Sequence, residues 1–90
     1  MNAEQKIARL TLLVSEYLKY TIWSNVGITL SDDLVFVIWF RPVIKDDIVY
    51  LTYSITTFHV DDIDNRLQSF RNKINYEKTK KRKEYINDND

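Results

Sequence analysis

Residues 34–40 form an unbroken apolar run between a Ser-Asp-Asp sequence at 31–33 and Pro42. The run is short and made of aliphatic, β-branched and aromatic residues, which favours a β-strand over a helix. Successive side chains of a strand point to opposite faces of its sheet, so both faces of this strand are hydrophobic. The pattern therefore predicts a strand that needs apolar cover on two sides.

Residues 2–20 show the periodicity of an amphipathic helix. Apolar side chains recur at helical spacing and occupy nearly half of the circumference. So wide an apolar face predicts a helix that is pressed into a concave sheet or contacted from two directions. The single glycine, Gly27, is expected to form the turn that leads out of this helix, because glycine adopts positive φ without steric cost.

Two further strands are predicted, a short one at 28–30 and a long one at 48–58. The long strand alternates between an apolar side and a more polar side. Its apolar side carries Val49, Leu51, Tyr53 and Ile55, and its other side carries Tyr50, Thr52, Ser54 and Thr56. This strand is amphipathic, whereas the run at 34–40 is not.

A second helix is predicted to begin at Asp61 or Asp62, since aspartate is a favoured N-cap residue and stabilises the positive end of the helix dipole. Its apolar stripe, at spacings of four, three and four, consists of Ile63, Leu67, Phe70 and Ile74. Beyond Tyr76 the same spacing places charged residues inward, so core packing is expected to end there. The sequence thus predicts a compact domain at 1–76 and a charged extension, helical or disordered, at 77–90.

The order of these elements predicts one small α+β domain: a helix, an antiparallel sheet of two or three strands, and a long C-terminal helix. Both helices most simply cover the same sheet face, which leaves apolar surface on the other. We expect that uncovered face to bind a protein partner, in the first instance a second copy in a symmetric homodimer. The residues predicted to bind the partner are Val35, Val37, Trp39, Tyr50 and Thr52.

Periodicity leaves several alternatives open for this interface. If the pairing register of the strand at 48–58 runs the other way, its apolar side is exposed instead of its polar side. A dimer could also form through the wide face of the first helix. In a closed monomer, the C-terminal helix would fold over the second sheet face.

Composition narrows the chemistry that the chain can support. The 90 residues include no cysteine and one histidine, His59, so a thiolate metal cluster is excluded and no metal or other cofactor is predicted. The chain has no glycine-rich phosphate loop and no nucleophile motif, which predicts a non-enzymatic protein. No apolar run reaches the ~18 to 20 residues of a membrane span, and no signal-peptide pattern is present, so a cytoplasmic protein without a membrane partner is expected.

Charge is unevenly distributed although the formal net charge is zero. Between residues 66 and 83 there are eight basic residues and one acidic residue, Glu77. The basic residues are Arg66, Arg71, Lys73, Lys78, Lys80, Lys81, Arg82 and Lys83. Because basic side chains release counterions when they neutralise phosphates, this stretch makes a nucleic-acid-binding accessory protein the alternative function.

Aspartate pairs occur at 32–33, 46–47 and 61–62. If the strands are antiparallel, the first and last pairs share one end of the sheet near His59. Aspartate is also the residue that turns and helix N-caps select, and this structural explanation is favoured over a cation site.

Together, these patterns predict a small, homodimeric protein-interaction module whose partner the sequence does not identify. A compact chain rich in Lys, Asn, Ile and Tyr is typical of an accessory protein or inhibitor from a phage or mobile element of a low-GC bacterium. That interpretation depends on composition alone.

Overall fold

A computed structural model describes the backbone of residues 1–88 and the side chains of residues 1–80. The elements are α1 (Ala3–Tyr17), a 3-10 turn (Leu18–Tyr20), β1 (Asn25–Ser31), β2 (Leu34–Lys45), β3 (Ile48–His59), a second 3-10 turn (Val60–Asp62) and α2 (Ile63–Asp88). The predicted α+β fold, with one helix before and one after a three-stranded antiparallel sheet, is confirmed.

Helix α1 begins where its sequence provides a capping box. The Asn2 side chain accepts a hydrogen bond from the Gln5 amide at 2.9 Å, and the Gln5 side chain accepts one from the Asn2 amide at 3.0 Å. These bonds satisfy backbone donors that have no partner within the helix. At the other end the helix tightens into the 3-10 turn, close to the predicted end at residue 20.

The sheet is an antiparallel meander in which spatial order follows chain order, β1-β2-β3. In β1, Val26 lies opposite Trp39 and Leu30 opposite Val35. Strand β1 begins at Asn25 and so includes Gly27, which the sequence had assigned to a turn. That assignment was wrong: Gly27 has no positive φ, and the chain leaves the helix through residues 21–24 instead.

Both helices pack on the same face of the sheet. The core contains Leu10 and Val14 from α1, Ile63 and Leu67 from α2, and Val35, Val37, Trp39 and Phe58 from the sheet. Among the described side chains of residues 1–80, two ion pairs join the helices, from Lys6 to Asp64 at 3.0 Å and from Lys78 to Glu16 at 2.9 Å. The predicted apolar stripe of α2 is inward, with Ile74 as the last buried residue in the described side chains.

Strands β2 and β3 extend beyond the rest of the domain as a hairpin arm, residues 41–52. Strand β1 stops pairing at Phe40, so the arm has two strands and every residue in it is exposed. Its tip consists of Asp46 and Asp47, both with positive φ (53° and 63°), as a type I′ hairpin turn requires. Pro42 lies in the arm, where β2 has no neighbour on the β1 side, and a strand residue without an N–H is tolerated at such an edge.

Candidate interaction surfaces

The sheet face turned away from the helices carries many exposed apolar side chains, and we call it the open face. Strand alternation assigns its members from the pairing register. They are Asn25, Gly27, Thr29 and Ser31 of β1, Leu34, Phe36, Ile38, Phe40, Pro42 and Ile44 of β2, and Val49, Leu51, Tyr53, Ile55, Thr57 and His59 of β3.

The open face is apolar along its centre and uncharged throughout these positions. Leu51 is 61% exposed and Ile44 is 73% exposed, whereas Phe36, Ile38 and Phe40 are half-buried by their neighbours within the sheet. None of the positions that define the face is Lys, Arg, Asp or Glu. A continuous, charge-free apolar surface of this kind is uncommon on monomeric proteins.

All five predicted partner-binding residues lie on the opposite face, on the helix side of the sheet. Val35, Val37 and Trp39 are buried beneath the two helices, so they belong to the core and do not form a docking surface. The other two, Tyr50 and Thr52, lie on the same side of the sheet but in the hairpin arm, where they are exposed. The Thr52 hydroxyl donates to the Arg41 carbonyl at 2.7 Å.

The physical reason for this correction is the orientation of β3. The predicted set of five residues corresponds to one of the two possible orientations, in which the apolar side of β3 faces the helices. In the structure that side, with Leu51, Tyr53 and Ile55, points away from the helices, and the side with Ser54 and Thr56 points toward them. The deciding signal is Phe58, which is buried opposite Val35 and fixes which side of β3 joins the core.

A second surface is a cleft of about 280 Å³ between α2 and β3, which we call the α2–β3 cleft. Its floor includes the hydroxyl residues Ser54 and Thr56, and aromatic side chains such as Trp39 and Phe70 line it. Ser54 and Thr56 are exposed on the helix side of β3, so the cleft is open at these two small residues. Trp39 and Phe70 lie in a tilted arrangement with their ring centroids 6.4 Å apart.

Two basic side chains line the same cleft, Arg66 and Lys73, which are seven residues apart and therefore share one side of α2. The Arg66 guanidinium carbon is 5.0 Å from the centre of the Phe58 ring, and the Lys73 ammonium is 5.2 Å from the centre of the Phe70 ring. At these distances each cation is attracted to the face of an aromatic ring. The cleft therefore combines hydroxyl groups, aromatic surface and positive charge.

The predicted basic stretch does not lie on one surface over its described part. Arg66 and Lys73 line the α2–β3 cleft, whereas Arg71 and Lys78 lie against α1 near Glu16. The hydrogen bond and charge of Glu16 raise the pKa of Lys78. The side chains of residues 81–83 lie outside the described residues, and nucleic-acid binding by this stretch stays a prediction.

The acidic loops at one end of the sheet are adjacent, as the antiparallel order predicts, because the Val60 amide donates to the Asp33 carbonyl at 2.8 Å. Asp62 accepts hydrogen bonds from Asn65 at 2.8 Å and from Arg66 at 3.1 Å. Chiefly through the Asn65 bond, the pKa of Asp62 falls below its ordinary value. In the described part of the chain, no three His, Cys, Asp or Glu side chains are grouped closely enough to hold a metal ion.

None of the described helices is long and apolar enough to cross a membrane. No protein-family model, curated protein or solved structure matches the chain. The features of this protein that bear on function are therefore the open face and the α2–β3 cleft.

Proposed function

We propose that this protein is a non-enzymatic protein-interaction module that acts as a homodimer, with the open face as the interface between two copies. The observation that supports this proposal most directly is the orientation of β3. Leu51, Tyr53 and Ile55 point away from their own helices, although burying apolar side chains is the main favourable contribution to folding. A second molecule on the open face would remove these side chains from water.

The size of the open face is close to what a stable dimer interface needs. Strands β2 and β3 contain 12 residues each, and β1 contains 7. With a rise of ~3.4 Å per residue and strands ~4.8 Å apart, the flat area of this face is on the order of 500 Å². The flat areas of two copies sum to on the order of 1,000 Å², and the surface of the projecting side chains adds to this value. The sum approaches the total of about 1,200 to 2,000 Å² buried in stable interfaces.

A second copy is the partner that fits the charge of the open face. A twofold interface places the same patch against itself, so any charged side chain near the axis would meet a like charge. The positions that define the open face hold no charged side chain, and self-pairing therefore brings no such repulsion. Two sheets can stack face to face ~10 Å apart with their inner side chains interdigitating, as in a β-sandwich.

The test is a pair of charge substitutions one residue apart on β3. Leu51→Asp places a carboxylate on the open face, and Thr52→Asp places one on the opposite side of the same exposed arm. We expect the wild type and Thr52→Asp to be dimers at micromolar concentration by light scattering, and Leu51→Asp to be a folded monomer by circular dichroism. A monomeric wild type, or equal masses for both variants, would contradict the proposal.

A further inference from the structure

The outer edge of β3 is a sheet edge without the usual protection against pairing. Natural edge strands are commonly interrupted by proline, a bulge or inward-pointing charge. From Ile48 to His59, β3 contains no charged residue, proline or glycine, and its pairing with β2 runs without interruption. The other edge strand, β1, is shorter and contains Gly27.

The α2–β3 cleft lies next to this edge on the helix side. A strand added beside β3 would direct alternate side chains to that side, where Ser54 and Thr56 are small and leave room. Arg66 and Lys73 lie along the same cleft. Arg66 is paired with Asp62 at 3.1 Å, but the ion pairs found among residues 1–80 include none for Lys73.

We infer that the edge of β3 binds an extended acidic segment of another protein, which adds a fourth strand and directs its carboxylates toward Arg66 and Lys73. Backbone hydrogen bonds to β3 provide the affinity, and the two cations provide the preference for acidic residues. This site is distinct from the open face, and a dimer joined through that face leaves the β3 edge free. The inference therefore does not depend on the proposed homodimer.

The probe is a capped peptide of about ten residues in which Thr and Glu alternate, long enough to span most of β3 with every Glu on one side. We expect the amide resonances of β3 to shift and their hydrogen exchange to slow as the peptide is added to the full-length protein. Peptides with Lys in place of Glu, or with N-methylated Thr, should bind at least tenfold more weakly. The Lys peptide loses the charge attraction, and the N-methylated peptide loses the backbone donors.

Matched charge variants of α2 test the role of the cleft. The double substitution Arg66→Gln with Lys73→Gln should weaken binding of the Glu peptide roughly tenfold, which is ~1.4 kcal/mol. The control double substitution Arg71→Gln with Lys80→Gln removes the same net charge outside the cleft and should leave the affinity unchanged.

Several outcomes would overturn this inference. They are equal binding of the Glu and Lys peptides, equal effects of the two double substitutions, and shifts confined to the open face. Two further results would assign the edge to another occupant. Protection of the edge-facing β3 amides that increases with protein concentration, without any peptide, would indicate a second copy, and a stronger response to a short oligothymidylate would indicate a nucleic-acid strand.

Discussion

The two faces of β2 are similarly apolar in sequence but lie in different surroundings. Val35 and Val37 are buried under both helices, whereas Phe36 and Ile38, on the other face, are covered only by neighbouring strands. In β3 the contrast is stronger, because its apolar side faces outward. Hydrophobic alternation tells which residues share a face, but it does not tell which of two apolar faces the helices will cover.

The largest effect is expected when the same Leu→Ala substitution is made in the core and on the open face. Leu10 is 0% exposed in the core, and Leu51 is 61% exposed on the open face. We expect Leu10→Ala to lower the free energy of unfolding by about 2 to 5 kcal/mol, because it leaves a cavity. In dilute monomer, Leu51→Ala should change it by less than about 0.5 kcal/mol. Urea denaturation measures both values, and similar losses would mean that the open face is already covered within one chain.

The second test asks whether association stabilises the open face. If two copies pair there, each tenfold increase in protein concentration above the dimer Kd should stabilise the folded dimer by about 1.4 kcal/mol. The Tm of the wild type should then rise with concentration in calorimetry, and the Tm of Leu51→Asp should not. A Tm of the wild type that is independent of concentration would mean that the open face stays exposed to water.

A smaller effect is expected at the tip of the hairpin arm, far from either helix. Asp47 has φ 63°, which a residue with a Cβ adopts at some steric cost and glycine adopts freely. We expect Asp47→Gly to stabilise the protein by about 0.5 kcal/mol, since Asp-Gly is a preferred type I′ turn. Chemical denaturation measures the change. As a control, Asp33→Gly alters a turn residue without positive φ and should be neutral or destabilising.

The smallest effect is electrostatic and lies where α2 begins. The Asn65 hydrogen bond lowers the pKa of Asp62 below 3.8, so this contact stabilises the fold above the unfolded-state pKa and is lost as pH falls through the folded-state pKa. Asn65→Ala should move the Asp62 pKa toward its ordinary value in a carboxyl NMR titration. The exposed control Asn72→Ala, whose side chain bonds to Gln68, should not shift it. An unchanged pKa in Asn65→Ala would contradict the assigned cause.

Much of the fold could be predicted from the sequence because local signals agreed with one another. The run at 34–40, the stripe from Ile63 to Ile74 and the turn residues each favour one structure, and together they give the observed order of elements. The position of Gly27 could not be predicted, because glycine is equally compatible with a turn and with an extended strand. Its placement in β1 depends on pairing with a distant strand, opposite Ile38.

The candidate sites were harder to predict than the fold. The existence of an uncovered apolar face follows from residues 34–40 and the small number of helices, but its members depend on which face packs against α1 and α2. Phe58 carries that information, because it is the one large apolar residue at the end of the side with Ser54 and Thr56, but a single residue at the end of a strand does not outweigh the alternation along the rest of it. The α2–β3 cleft has no sequence signature, because it arises where α2 does not reach Ser54 and Thr56.

The meander order of the sheet has a consequence for assembly in the cell. Each strand pairs with its neighbour in the chain, so the sheet forms from two hairpins without a crossover connection, and contacts between neighbouring strands form faster than contacts between distant ones. We therefore expect every newly made molecule to complete its own fold before it meets another. The proportion of paired molecules would then follow the rate of synthesis, and low expression alone would keep the protein in its single-chain form.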